Sequence, residues 1–163
     1  MVGDLLIKNA TLVLPSQVVE GDLRVSSGSI SSIARGGGLE PNIDEPVIDA
    51  TGLHLLPGII DPHVHFREPG HIENEDLESG SRAAAAGGVT SFLDMPNNSP
   101  NTTNRTTIER KISLASKKSV THHGFFIGAT KNNDNGRTVL SDNSSNLSIA
   151  GTPAASPLGY FSW

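Results

Sequence analysis

The sequence predicts an α/β fold, and three observations carry that prediction. Short apolar or alternating runs about ten residues apart fill residues 4–56. From residue 55 to 129 the character alternates as strand, helix, strand, helix, strand, an order that implies parallel strands joined by crossovers. From Lys131 onward, 20 of 33 residues are Asn, Ser, Gly, Pro, Asp or Thr and no period persists, so this segment reads as a disordered tail that cannot bury enough apolar area to order itself. The domain boundaries that follow are 1–55, 56–130 and 131–163.

In the first region the expected strands are Leu5–Ile7, Thr11–Leu14, Leu23–Val25, Ile30–Ile33 and Val47–Ile48. Turn residues separate them at Pro15-Ser16, Glu20-Gly21-Asp22, Ser27-Gly28-Ser29 and Gly36-Gly37-Gly38. Such spacing suits a small antiparallel sheet or half of a sandwich. Next, Leu55 to Phe66 begins as an apolar run and then alternates. Glu73 to Ala86 reads as a helix, with Glu73, Glu75, Asp76 and Glu78 near its positive end, a strongly helix-favouring Ala83–Ala86 run and a stop at Gly87-Gly88. Val89–Met95 is the second strand, ended by Pro96-Asn97-Asn98. Thr106–Lys118 is the second helix, with Ile108, Ile112 and Ala115 on one face and Thr102 or Thr103 as its cap. Val120–Ala129 is the third strand, rich in β-branched and aromatic residues.

Composition narrows the function classes. The chain has 163 residues, and 12 basic against 17 acidic side chains give a net charge of −5. No basic run appears, which argues against nucleic acid or anionic membrane as the main partner. Cysteine is absent, so a metal site must use His and carboxylate ligands. No apolar stretch approaches 18 residues, and Met1-Val2-Gly3-Asp4 does not open a signal peptide; a cytoplasmic location is the default expectation. Aromatics are 4% of the chain, and a complete (β/α)₈ barrel needs at least about 200 residues. A whole barrel therefore does not fit.

The sharpest chemical feature is His63-Val64-His65-Phe66-Arg67. On a strand these alternate residues share one face, so two imidazoles can converge on one metal with a guanidinium beside them. If the strand ends here, all three lie at its C-terminal end, where ligands collect in α/β folds. Asp61 either orients the strand end or is satisfied by turn amides. Glu68, in Glu68-Pro69-Gly70, reads as solvated. Asn97 leaves the second strand at the edge where Arg67 emerges, and an amide with a guanidinium would cradle a carboxylate; spacing alone favours a simple turn role for Asn97 and Asn98. His71 falls in a loop. His122 and His123 begin the third strand, the wrong end for a shared site. No phosphate-binding loop and no nucleophile elbow is present.

The stretch Pro57-Gly58-Ile59-Ile60-Asp61-Pro62-His63-Val64-His65-Phe66-Arg67-Glu68-Pro69-Gly70 resembles the first barrel strand of dihydroorotases, in the amidohydrolase superfamily. Asp94-Met95-Pro96-Asn97 resembles that family's second strand end. Ser81 to Thr90 and Gly124 to Thr130 are also similar to it, so the likeness runs from about residue 4 to about 133. The resemblance implies a TIM-type (β/α) barrel, here about three strands and two helices, preceded by a portion of a small β-sandwich. It implies His63 and His65 as ligands of a zinc ion, and Arg67 and Asn97 as groups that bind the carboxylate of dihydroorotate or carbamoyl-aspartate. The family reaction is the reversible closing and opening of a cyclic amide in pyrimidine biosynthesis, with the metal activating water and polarising the ring carbonyl.

The departures matter as much. The family's bridging carboxylate, its two further histidines and its general-base Asp have no counterpart here. No histidine follows His123, and Lys131, Asp134 and Asp142 match none of those motifs. The expectation is therefore an N-terminal piece of a dihydroorotase, inactive by itself, with a non-homologous tail. Two alternatives remain: a non-catalytic module that binds a partner such as a carbamoyltransferase, and another cyclic amidohydrolase such as an allantoinase; the partner expectation is a homo-oligomer or a carbamoyltransferase.

Overall fold

The computed structural model describes residues 4–131 and the backbone of 158–162. The chain divides into two compact units, residues 1–57 and residues from 58 onward.

The first unit is one five-stranded sheet: β1 (Leu5–Leu14), β2 (Gln17–Ser26), β3 (Ser29–Arg35), β4 (Val47–Asp49) and β5 (His54–Leu55). Its order is β3-β2-β1-β4, with β5 also on β1. The separate strands expected at Leu5–Ile7 and Thr11–Leu14 are one strand. Asn9 adopts a left-handed φ of 59° at the point where the β1–β2 register slips, so a bulge rather than a turn interrupts the pattern. Pairing is not wholly antiparallel either: β4 and β5 run parallel to β1, because the long 36–46 connection carries the chain back before it pairs. The expected Ser27-Gly28 turn is a two-residue hairpin loop with φ of 51° and 77°, the positive pair such a turn requires. Ala10, Leu12, Leu23 and Ala50 form the buried core, with Ile7, Leu14, Val19, Val25 and Leu55 against it.

Carboxylates tie this unit together. Asp22 is fully buried and accepts from the N–H groups of Asn9 (2.9 Å) and Leu39 (3.0 Å). Burial opposes its ionisation, but these donors outweigh it and hold the carboxyl below its usual range. Glu45 is held low by the Arg24 guanidinium, which donates to both its oxygens at 2.8 and 3.0 Å, and by the Asn42 N–H. A folded-state value below the unfolded one means that folding keeps protons off these groups. Their stabilisation is complete above the unfolded values, about 3.9 for Asp and 4.3 for Glu, and is lost as pH falls through the lower folded ones. The expected result is a urea midpoint for this unit that is steady from pH 7 to 5 and drops below about pH 4; a midpoint unchanged at pH 3 would contradict it.

The second unit holds β6 (Ile59–Val64), α1 (Leu77–Ala86), β7 (Val89–Asp94), α2 (Arg105–Lys118), β8 (His122–Ile127) and β9 (Leu158–Ser162). The sheet order is β6-β7-β8-β9. β6, β7 and β8 are parallel, so Val64, Asp94 and Ile127 end at one edge. The residues that follow are gathered there. The core beneath is Phe66, Leu77, Phe92, Ile108, Ala115, Phe125 and Ile127, with Phe66 edge-on to Phe92 at 4.7 Å.

Both helices start later or on other caps than expected. α1 begins at Leu77, not Glu73, because Asp76 caps it by accepting from the Ser79 N–H at 2.7 Å. α2 is capped by Asn104, which accepts from Thr107 N at 3.0 Å, and not by Thr102 or Thr103. Thr102 is buried elsewhere: its N–H donates to Pro96 and its C=O accepts from Gly128.

Most of the expected tail, residues 131–163, falls outside the described residues. Within it, Leu158–Ser162 pair antiparallel with β8. A parallel edge offers free N–H and C=O groups, and the sequence there, Leu-Gly-Tyr-Phe-Ser, ends in strand-favouring aromatics that the polar average of the whole segment conceals.

Gly80 faces the core on α1. A Cβ there would lie 2.7 Å from Phe66 Cε1 and 2.8 Å from its Cδ1. Gly80→Val is expected to cost about 1–3 kcal/mol by overpacking, measured by urea unfolding. A loss below about 0.5 kcal/mol, the size of an ordinary surface change, would show that the ring moves aside.

Candidate functional site

The site is built at the C-terminal edge of the parallel sheet. β6 ends at Val64, whose C=O accepts from Met95 N at 2.9 Å and so joins the ends of β6 and β7. His63 and His65 are both exposed there. Their Nε2 atoms stand 3.1 Å apart, with ring centroids 5.0 Å apart. Two nitrogens bound to one tetrahedral zinc at about 2.0–2.1 Å would lie roughly 3.3 Å apart. The imidazole pair therefore fits a single divalent cation. Among the described residues no third His, Asp or Glu joins them.

Asn97 arrives from the end of β7. Its Oδ1 lies 2.9 Å from His65 Nδ1, across 32 residues of sequence. The amide expected to act as a turn former or carboxylate cradle thus touches a candidate ligand directly. Arg67 is exposed one alternation beyond His65. Asp61 accepts from His63 N at 3.1 Å, a turn-amide bond that also fixes the backbone entering the pair.

The backbone between His65 and Arg67 is clamped from below. Phe66 N donates to Asp94 Oδ1 at 3.0 Å, and Phe66 C=O accepts from Asn98 Nδ2 at 3.1 Å. Asp94 and Asn98 are buried, and both are held by Lys111 of α2. Its ammonium is 2.9 Å from Asp94 Oδ2 and donates to Asn98 Oδ1 and to Met95 C=O. Sequence reasoning missed this network. The signal was present: in the stripe Ile108, Lys111, Ile112, Ala115, one cation sits on an otherwise apolar helix face.

Glu68 is not solvated. It is buried, accepts from Leu77 N at 3.0 Å and pairs with Lys118 at 2.7 Å. It thereby joins the loop after His65 to the start of α1 and the end of α2. His71 faces Glu73 at 3.4 Å in the exposed loop. His123 sits at the opposite end of the sheet against Phe92 and Phe125. Burial holds its imidazole below the ordinary value. An open groove of about 490 Å³ beside Val89, Thr90, Val120 and His122 lies at that same far end, away from the paired histidines. Among the described residues no helix is long and apolar enough to cross a membrane.

Known proteins are similar to this chain. The model of the amidohydrolase family matches residues 54–145, more than half of the chain. An allantoinase from Desulfitobacterium hafniense is 42% identical over 131 residues, which are 80% of this chain and 28% of that protein. A dihydroorotase from Methanosarcina acetivorans is 40% identical over 129 residues, 79% of this chain and 27% of that protein. The crystal structure of a dihydropyrimidinase from Brevibacillus agri superposes with a TM-score of 0.74 at 31% identity, over 88% of this chain and 31% of that one. The chain spans less than a third of the length of each of these relatives.

Proposed function

Because the chain belongs to the amidohydrolase family, among cyclic amidohydrolases, we propose that its site serves metal-dependent hydrolysis of a cyclic amide. The observation that carries this reading is the convergence of His63 and His65 at 3.1 Å on the C-terminal edge of a parallel sheet. A divalent metal there, of the kind imidazole donors suit and zinc among them, would supply Lewis-acid polarisation of an amide carbonyl. His63 and His65 would hold it. Arg67, and the amide N–H groups that Asn97 keeps free of His65, would bind a carboxylate on the ring. That anion-binding pair favours dihydroorotate as substrate. Allantoin is the second reading, favoured by the allantoinase relative at 42% identity.

In this reading β6, β7 and β8 are the first three strands of a (β/α)₈ barrel. Ile59 and Ile60 on the edge strand β6 are 52% and 62% exposed, as suits a strand whose two faces are covered in a whole barrel. A catalytic zinc uses three protein ligands, so the 163-residue chain by itself is expected to turn over neither substrate. The test is a pair of chimeras in which residues 4–131 replace the matching segment of the Methanosarcina dihydroorotase or the Desulfitobacterium allantoinase. Ring opening of dihydroorotate by the first, abolished by His63→Ala, is the expected result. Activity only in the second, on allantoin, would select the second reading. Inactivity of both folded, zinc-loaded chimeras would overturn the proposal.

A further inference from the structure

We propose that Asn97 is a positioning residue for His65: its carbonyl oxygen fixes which ring nitrogen of His65 carries the proton, and so aims the Nε2 lone pair at the point facing His63. This deepens the reading above and rests on it only for the metal's identity. Asn97 Oδ1 is 2.9 Å from His65 Nδ1. An amide oxygen only accepts, so in the neutral ring His65 Nδ1 is the donor and His65 Nε2 the bare nitrogen. The contact between His63 Nε2 and His65 Nε2 at 3.1 Å is then consistent in one way: without a metal, His63 Nε2–H donates to His65 Nε2. His65 is thus preset as a ligand through Nε2, whereas His63 must change tautomer to become one.

The surroundings keep Asn97 in place. Its neighbour Asn98 is buried and bonded to Phe66 C=O, Glu68 C=O and Lys111. Met95 N is bonded to Val64 C=O. The strand ends that carry His65 and Asn97 are therefore joined on both sides of the pair. The bond itself is between exposed side chains, so its net effect is modest. A single hydrogen bond biases a tautomer ratio by roughly 2- to 13-fold, and loss of such a partner behind a metal ligand typically weakens metal binding by about 10- to 100-fold.

The test uses the full chain labelled with ¹⁵N-histidine, read by long-range ¹H–¹⁵N spectra at pH 8 without metal. Wild type is expected to show His65 with its proton on Nδ1 and His63 with its proton on Nε2. Asn97→Ala should shift His65 toward the Nε2–H form, and Asn97→Asp, which keeps an acceptor oxygen, should retain the wild-type tautomer. In zinc titrations Asn97→Ala should bind about tenfold more weakly or worse, and Asn97→Asp should rescue. A His65 tautomer that does not respond to Asn97→Ala, or a failed rescue in a variant with wild-type circular dichroism, overturns the proposal. A responsive tautomer in a wild-type chain that binds no zinc would uphold the positioning of His65 while removing the metal reading, so the two failures are distinguishable.

Discussion

Replacing Lys111 by methionine is expected to destabilise the second unit by about 3–5 kcal/mol, the cost of removing one partner of a buried ion pair. Lys111 and Asp94 are both fully buried, 2.9 Å apart. The ammonium is what compensates the buried Asp94 Oδ2. Burial pushes the Asp94 carboxyl up and the Lys111 ammonium down, and the opposite charge of each partner restrains both shifts. Take the ammonium away, and the carboxylate must either stay charged in an apolar setting or take up a proton. Lys111 also donates to Met95 C=O and Asn98 Oδ1 and lies 5.0 Å over the Phe125 ring, so those groups lose a partner as well. Methionine fills much of the volume, which leaves charge rather than cavity as the main loss. The double variant Asp94→Asn with Lys111→Met keeps an acceptor for Phe66 N and removes both charges. It is expected to recover at least half of the single-variant loss, as interacting neighbours do in a double-mutant cycle. Urea unfolding by circular dichroism, with hydrogen exchange at Phe66, measures both. Additive losses would show that the pair is not coupled.

The same network shows what the sequence makes legible and what it conceals. Strand and helix order could be read because each element carries its own period and its own stop, such as Gly87, which caps α1. The pairing of His63 with His65 was legible because alternation is a local rule that carries one residue past the end of β6 at Val64. The contact from Asn97 was half legible: the motif placed it at the right edge, but whether its amide serves a turn, a substrate or a ring nitrogen depends on a neighbour 32 residues away. Glu68 and Lys111 were misread or missed for one reason. Their partners, Lys118 at a separation of 50 residues and Asn98 at 13, meet them only after the helices pack on the sheet. Helix caps failed in a similar way. Thr102, Thr103 and Asn104 are all chemically able to cap; Thr102 is buried in the β7–α2 connection, and Asn104 is the residue that caps.

Removing either imidazole is expected to abolish tight zinc binding. His63→Ala and His65→Ala should each weaken it by more than about 100-fold, beyond the roughly 10- to 100-fold typical of a group that only supports a ligand. The reason is that the described residues supply two converging imidazoles and no third His, Asp or Glu, so either change leaves a single imidazole, which is no chelate. Competing sites can be tested in the same way. His122 and His123 begin β8, at the end of the sheet opposite His63 and His65, and their joint replacement by alanine should leave zinc affinity unchanged. Arg67 separates the two roles assigned to this edge. Its guanidinium is exposed, and its charge is screened over about 8–10 Å at ordinary salt, so Arg67→Ala should alter zinc affinity by no more than about threefold. In the dihydroorotase chimera the same change should raise KM for dihydroorotate, because one charged hydrogen-bond donor to the ring carboxylate is lost, worth about 1.5–3 kcal/mol or roughly 10- to 150-fold. Competition with a chromophoric chelator reads the first quantity and steady-state kinetics the second. Zinc binding that survives His63→Ala, or a KM indifferent to Arg67, would dissolve the division between a metal-holding pair and a carboxylate-binding arm on which the site rests.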